Sequence, residues 1–291
     1  SVGRAALGAV PLVLFVLGVS LVVRPVAAVN SFSTLTYLPA NDSGYYLTLY
    51  GAKTLTQWNW TTGFSVDYSR DPLILIQNGA NAGSIVHDLV AGHLYGGGGL
   101  LEWMDVGVTV GAALMGDFID PTTRVGNKSF RMGDMRVDMK FRLLDLERTP
   151  VGVAFIPYVD IPTGDSNRFF GNGGFSEGGM VAVETRRIQN RFSFGSNVGY
   201  LIRNRVTLTG GTVIDDMITY GVGGNIMLVP AVDFIAELHG STVASNAFKT
   251  TQQSPLEMDA GVRTYFGEDR RFRATIGGGG GIVSGVGSPS F

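Results

Sequence analysis

The hydrophobic and polar positions of this chain alternate strictly between residues 133 and 144, GDMRVDMKFRLL. The even positions carry the charges: Asp134, Arg136, Asp138, Lys140 and Arg142. The positions between them are apolar: Met135, Val137, Met139, Phe141 and Leu143. Successive side chains leave a β-strand on opposite faces, so this period of two predicts a strand with one charged and one apolar face.

Similar alternation recurs along the chain, and no helical period is visible after residue 44. Trp58 and Trp60 begin one apolar face, and Phe192 and Phe194 begin another. Clusters of Gly, Asp, Asn and Pro separate the segments, which is typical of turns between antiparallel strands. The pattern predicts strands at residues 45–54, 58–69, 84–97, 104–114, 132–144, 151–161, 178–186, 191–203, 216–228, 231–241, 255–266 and 271–282.

The length of these strands favours lipid as the solvent of the apolar face. Strands of soluble proteins average about 5–6 residues, whereas a tilted membrane-crossing strand needs about 9–11, and many of the predicted strands reach that length. An arginine facing lipid at mid-depth costs about 2–4 kcal/mol. Five charges on the lipid face of one strand would therefore exceed the stability of an ordinary domain, about 5–15 kcal/mol.

The predicted fold is an all-β, antiparallel transmembrane barrel of about 12–14 strands, which must close because every backbone polar group in hydrocarbon needs a partner. The residues predicted to line the lumen are Asp134, Arg136, Asp138, Lys140, Arg142, Asp160, Glu184, Glu237, His239, Glu257, Asp259 and Arg263. The residues predicted to face lipid are Met135, Val137, Met139, Phe141, Leu143, Trp58, Trp60, Phe192 and Phe194.

The N-terminus predicts export. Arg4 precedes an uncharged apolar run at residues 5–23, and small residues follow at 26–28. This order is the signature of a secretory signal peptide, here a helical segment at residues 1–28 cleaved after Ala28. The apolar run is also about as long as a membrane-spanning helix, so an uncleaved anchor is the alternative. The barrel is then assigned to residues 29–291.

Composition excludes several classes of protein. Of the 291 residues only 16% are charged, the net charge is −2, and there is no cysteine. The chain has no basic surface of the kind that would indicate nucleic-acid binding. The absence of cysteine excludes disulfide scaffolds and Cys-based zinc sites. The three histidines show no metal-ligand spacing, so neither a metal nor another cofactor is predicted.

The predicted connections alternate in length. Short ones are expected at 55–57, 98–103, 145–150, 187–190, 229–230 and 267–270, and long ones at 70–83, 115–131, 162–177, 204–215 and 242–254. Outer-membrane barrels have short periplasmic turns and long external loops. Both ends of such a barrel normally lie in the periplasm, but a first strand at 45–54 that leads into a short turn would begin outside. An earlier strand through residues 31–38 is therefore expected. An even barrel would then need a closing strand after residue 291.

Two stretches carry a family resemblance. GYYLTLYGAKTLTQWNWTTGFSVDYSRDPLIL and GDMRVDMKFRLLDLERTPVGVAFIPYVDIPTGD resemble the N-terminal barrel of multidomain outer membrane protein A family proteins, of the OmpA/OmpF porin type. The resemblance covers roughly residues 30–291. It implies an outer-membrane barrel in a Gram-negative-type envelope. Nothing in this chain matches the peptidoglycan-binding domain that usually follows in that family.

These observations favour a porin-like or structural barrel with a charged lumen, which contacts membrane lipid and passes small solutes. A surface-interaction barrel acting through loops 115–131 and 162–177 is the alternative. A barrel hydrolase is a weaker one. Residues 174–178 match G-x-S-x-G around Ser176, but that motif needs a strand before it and a helix after it. We therefore expect no enzymatic activity.

Overall fold

The computed structural model of the chain describes residues 33–34, 37–42, 44–77, 80–119, 126–208, 211–267, 270–286 and 288. The predicted signal peptide and its cleavage site lie outside these ranges. Among the described residues, no helix has the length and apolar character needed to cross a membrane.

Thirteen β-strands form the described fold. They are β1 (Trp60–Gln77), β2 (Ala80–Leu101), β3 (Met104–Ile119), β4 (Gly126–Leu144), β5 (Val151–Ile161), β6 (Ser176–Thr185), β7 (Phe192–Ile202), β8 (Val206–Thr207), β9 (Val213–Ile214), β10 (Met217–Val229), β11 (Val232–Val243), β12 (Leu256–Phe266) and β13 (Phe272–Val283). Eleven pair antiparallel in the order β1-β2-β3-β4-β5-β6-β7-β10-β11-β12-β13, and β8 pairs with β9 in a separate hairpin. The prediction of a large all-β antiparallel sheet is confirmed.

The two faces of the sheet differ as the alternation predicts. Along β1 the outward side chains are exposed, with Trp60 75%, Phe64 64% and Val66 56% accessible. On β4 the charged face is covered instead, and Lys140 is only 1% accessible. The charged face therefore does not point into bulk solvent. A broad surface of exposed apolar side chains is typical of contact with lipid or a partner.

The segment before β1 differs from the prediction. Residues 45–54 were expected to form a strand, and so was the pass through 31–38, but the described residues before Trp60 form no strand. These residues, here called the internal segment (33–34, 37–42 and 44–59), lie against the charged face of the sheet, and Tyr46, Leu49, Tyr50 and Ala52 are buried there. Their alternation is strand-like, but their hydrogen-bond partners are side chains of distant strands, so no ladder forms.

Two predicted long loops are also wrong. β1 continues to Gln77 and β2 begins at Ala80, so most of 70–83 is strand. β3 continues to Ile119 and β4 begins at Gly126, which shortens the expected loop at 115–131. The apolar run after Pro72 does not alternate, and the pairing of β1 with β2 shifts register between Arg70 and Leu73. A bulge of this kind interrupts the period of two without ending the strand.

The sheet has two different ends. The short connections 102–103, 145–150, 186–191, 230–231 and 267–271 lie at one end, here called the turn end. The connections 162–175, 203–216 and 244–255 lie at the other, here called the loop end. A buried apolar cluster including Leu89 and Phe170 lies at the loop end. A second cluster packs Tyr50 and Ala52 of the internal segment against Ala154, Ile156 and Ala182 of β5 and β6.

Candidate functional site

The internal segment runs through the interior from the loop end to the turn end. At the loop end, the N–H and hydroxyl of Thr34 both donate to the carbonyl of Phe169, each at 2.8 Å. At the turn end, the N–H of Leu55 donates to Asp105 at 2.9 Å, and the N–H of Trp58 donates to the carbonyl of Gly99 at 2.8 Å. The chain then turns into β1.

Acidic side chains of the sheet accept hydrogen bonds from the backbone N–H groups of this segment. Glu237 on β11 accepts from the N–H of Leu47, from the N–H of Thr48 at 2.9 Å and from the Thr48 hydroxyl at 2.7 Å. Glu184 on β6 accepts from the N–H of Ala52 at 2.9 Å. Both carboxylates are 2% accessible, so water cannot replace these bonds.

Basic side chains of the sheet bind the carbonyl groups of the same segment. Arg263 on β12 donates to the carbonyls of Gly44 at 2.8 Å and Tyr46 at 2.6 Å. Arg273 on β13 donates to the carbonyl of Asp42 at 2.6 Å. Lys140 on β4 donates to the carbonyl of Lys53 at 3.2 Å. A buried backbone outside a strand ladder needs such partners, because an unpaired polar group costs about 1–3 kcal/mol.

Asn197 on β7 makes both kinds of bond at once. Its side-chain oxygen accepts from the N–H of Tyr50 at 2.8 Å, and its side-chain nitrogen donates to the carbonyl of Tyr50 at 3.0 Å. The sheet thus provides a ring of acceptors and donors that matches the backbone of an irregular segment.

Asp42 is the charged centre of the internal segment. Its carboxylate lies 2.6 Å from the ammonium of Lys140 and accepts from the N–H groups of Gly44 and Gly51, each at 2.8 Å. Burial by itself would raise the pKa of Asp42, but the ammonium of Lys140 and the two N–H groups outweigh it, so the pKa lies below its ordinary value. Asp42 is therefore ionised at neutral pH.

Other residues predicted for the lumen pair with each other. Arg136 binds Asp160 through two bonds of 2.7 and 2.9 Å, and its guanidinium lies 4.0 Å from the centre of the Tyr158 ring. His239 lies 2.7 Å from Asp259 on the neighbouring strand.

The four remaining residues predicted for the lumen have different surroundings. Asp138 accepts a bond of 2.5 Å from Asn41 of the internal segment. Glu257 is half-buried, whereas Arg142 lies at the turn end, 3.6 Å from Asp145. Asp134 contacts the connection at 162–175 instead of the segment.

The residues predicted to face lipid lie on the outward face with different exposure. Trp60, Leu143 and Phe194 are exposed, and Met135, Val137, Met139 and Phe192 are half-buried. Trp58 is exposed but precedes β1, where its backbone has φ 64°. Phe141 differs from the others: it is only 8% accessible, and the ring of Trp103 stacks on it at a centroid distance of 6.1 Å.

A chamber of about 310 Å³ lies between the internal segment and the loop end. Its apolar walls include Leu38, Leu49, Met180, Leu201, Ile214, Met217 and Val243. Polar groups from Arg136, Asn197, Arg203, His239 and Glu257 also reach it. Thr219, Ser241, Gln252 and Gln253 line it as well. A cavity of this size that combines apolar walls with polar groups is typical of a site for a small organic molecule.

Sequence reasoning found most of the charged ring but missed the segment that it binds. Asp42 and Asn197 were not recognised as site residues.

Ser176, the candidate nucleophile of the hydrolase alternative, and His239, a histidine that could serve as its base, lie on strands that are not neighbours. Ser176 begins β6 and pairs in register with Asp160, whereas His239 lies on β11. Strands β7 and β10 separate them. A serine nucleophile needs its base within hydrogen-bonding reach, so this pair provides no catalytic site.

The fold is similar to that of solved outer-membrane channels. An outer membrane channel from Pseudomonas putida F1 superposes with a TM-score of 0.58 at 11% identity, covering 86% of this chain and 95% of that one. A channel named CymD monoaromatic hydrocarbon channel has a TM-score of 0.35 at 10% identity, covering 78% and 85%, which is too low to support an argument. The predicted all-β antiparallel fold is thus confirmed, and within the described residues it is a curled sheet of 11 strands in which β1 and β13 do not pair.

The sequence itself identifies a family. A search of curated proteins gave no significant match. The family model described as "Putative MetA-pathway of phenol degradation" matches residues 74–269, which is more than half of the chain and includes most of the sheet. The chain therefore belongs to the family of the putative MetA pathway of phenol degradation.

Proposed function

We propose that the chain is an outer-membrane channel in which small, largely apolar solutes occupy the chamber on their way through the barrel. The observation that carries this proposal is the chamber of about 310 Å³, whose lining combines apolar walls with polar side chains. The family description, which refers to phenol degradation, supports a phenol-like solute. Such a solute has an apolar ring and one hydroxyl group that needs a hydrogen-bond partner.

The polar groups of the chamber suit a single hydroxyl better than a sugar or an ion. Arg136 already binds Asp160, and Asn197 already binds the backbone of Tyr50, so neither is free for a new charged partner. His239 is held by Asp259 through one ring nitrogen. Thr219, Ser241, Gln252 and Glu257 also line the chamber, and a single hydroxyl group can form a hydrogen bond with any of them.

Calorimetric titration of the purified protein with phenol and with glucose tests the proposal. We expect phenol to bind and glucose to give no heat of binding. Replacing Thr219, which lines the chamber, by tryptophan fills the space and should weaken phenol binding at least tenfold. The matched control is Val222→Trp, three residues along the same strand, where the side chain is 55% accessible on the outward face.

Absence of phenol binding to the unmodified protein would reject the channel proposal. It would leave a structural barrel of the OmpA type as the function to test. Equal phenol binding by T219W and the unmodified protein would show that the solute binds elsewhere.

A further inference from the structure

The loop end of the chamber is covered by a cluster of buried apolar side chains. This cluster, here called the apolar lid, consists of Leu73, Val86, Leu89, Ala91, Ala113, Phe170 and Ile214. Its members come from β1, β2, β3, β9 and the connection 162–175. Phe170, Leu89 and Val86 are each at most 1% accessible, so the lid is closed in this structure.

The inward face of β2 changes from polar to apolar as it approaches the lid. His93, Ala91 and Leu89 share this face because each is two positions from the next along the strand. His93 is opposite Ser65 of β1, whereas Val86 is opposite Leu73 further toward the loop end. A lumen wall that only met water would have no reason to become apolar at this level.

The lid forms the roof of the chamber. Ile214 belongs to the lid and also lines the chamber. Met217 and Val286 pack against the lid and line the chamber as well. A solute that enters from this side of the loop end therefore meets these side chains.

Polar anchors hold the connection that carries Phe170. The Asp134 carboxylate accepts from the N–H of Gly164 at 3.0 Å and from the N–H of Asn172 at 2.7 Å, near the two ends of the connection. Arg131 pairs with Asp165 at 3.0 Å. These anchors position Phe170 in the lid, which explains why Asp134 binds this connection instead of the internal segment.

We propose that the apolar lid selects solutes by passing small uncharged molecules and excluding ions, with Phe170 as its central side chain. The inference rests on the proposed function, because it assigns the entrance of the same chamber. A charged group loses its hydration in an apolar constriction, at a cost of several kcal/mol. An apolar solute gains about 25 cal/mol for each Å² that it buries there. Hydrophobic constrictions of channels exclude ions by the same physics.

The absence of cysteine from the chain allows a direct test. Thr219→Cys places one thiol in the chamber, and its reaction rate is measured with two methanethiosulfonate reagents, one neutral methyl and one trimethylammonium-ethyl. Each rate is divided by the rate of the same reagent with a free thiol. We expect the neutral reagent to react at least 100-fold faster than the cationic one, because only the neutral reagent crosses the lid.

Phe170→Ala in the T219C protein should raise the rate of the cationic reagent at least tenfold and leave the neutral rate within threefold. Phe175→Ala is the matched control, since Phe175 follows shortly after in the same connection but is 44% accessible. It should change neither rate. The internal segment is the same in all variants, so access from the turn end contributes equally to each.

Equal corrected rates for the two reagents in T219C would overturn the lid, as would an unchanged ratio in folded F170A. If F170A does not fold, Asp134→Asn is the deciding variant, because it weakens the anchors without altering the side chains of the lid. It should raise the reaction rate of the cationic reagent severalfold. An unchanged rate in D134N would overturn the proposal. Phenol binding is measured separately, so a failure of the lid and a failure of the channel proposal are distinguishable.

Discussion

Replacing Glu237 by glutamine tests whether the inward-facing charges hold the internal segment. The carboxylate accepts three hydrogen bonds, from the N–H of Leu47 and from the N–H and hydroxyl of Thr48. Glutamine retains one acceptor oxygen and puts an NH₂ donor in place of the other. At least one buried N–H of the segment then faces a donor and has no acceptor.

The magnitude follows from the bonds that are lost. A hydrogen bond to a charged group contributes about 1.5–3 kcal/mol, and a buried N–H without a partner costs about 1–3 kcal/mol. These two terms overlap, so a net loss of about 2–4 kcal/mol in the docking free energy of the segment is expected. Each 1.4 kcal/mol is a factor of ten, so undocking becomes about 30- to 700-fold more frequent.

Amide hydrogen exchange measured by mass spectrometry on peptides covering 41–55 reports this change directly. E237Q should speed exchange at Leu47 and Thr48 by the factor above, and at Gly51 and Ala52 as well if the segment undocks as one unit. Glu257→Gln is the matched control, because Glu257 lies on the neighbouring strand opposite His239, and none of the hydrogen bonds described above for the internal segment goes to it. Exchange in E237Q within threefold of the control would refute the reasoning.

Three further changes probe the same architecture. In urea titrations, Lys140→Met should lower the free energy of unfolding by about 3–5 kcal/mol because it leaves the Asp42 carboxylate buried without its partner, and an unchanged value would contradict this. Because the pKa of Asp42 is lowered in the folded state, its stabilisation is present above the ordinary value of about 3.8 and is lost as the pH falls through the folded value. The difference in unfolding free energy between the unmodified protein and D42N should therefore shrink only below about pH 4, and a shrinkage near pH 6 would contradict this. Val222→Arg should reduce the stability of protein folded into lipid vesicles by about 2–4 kcal/mol, and an unchanged value would argue against lipid at that face.

The sequence predicted the strands whose alternation is unbroken. β5 was expected at 151–161 and is observed at Val151–Ile161, and β7 was expected at 191–203 and is observed at Phe192–Ile202. Each strand of this kind carries its own signal, because a side chain that faces lipid and one that faces the interior differ in chemistry. The assignment of the charged face to the interior followed from the cost of placing charges in lipid, and Lys140 is buried as expected.

Residues 45–54 were also predicted to form a strand, although its two faces are less distinct, and the tertiary structure overrode the prediction. The local sequence determines whether a segment can present one apolar and one polar face. It does not determine which groups will form hydrogen bonds with the backbone of that segment. Glu237 is 190 residues from Leu47, and Arg263 is 217 residues from Tyr46. These partners come together only when the sheet curls around the segment. The chain by itself therefore specified the strands and their two faces, whereas the docked segment, the chamber and the apolar lid depend on side chains that meet only in the folded sheet.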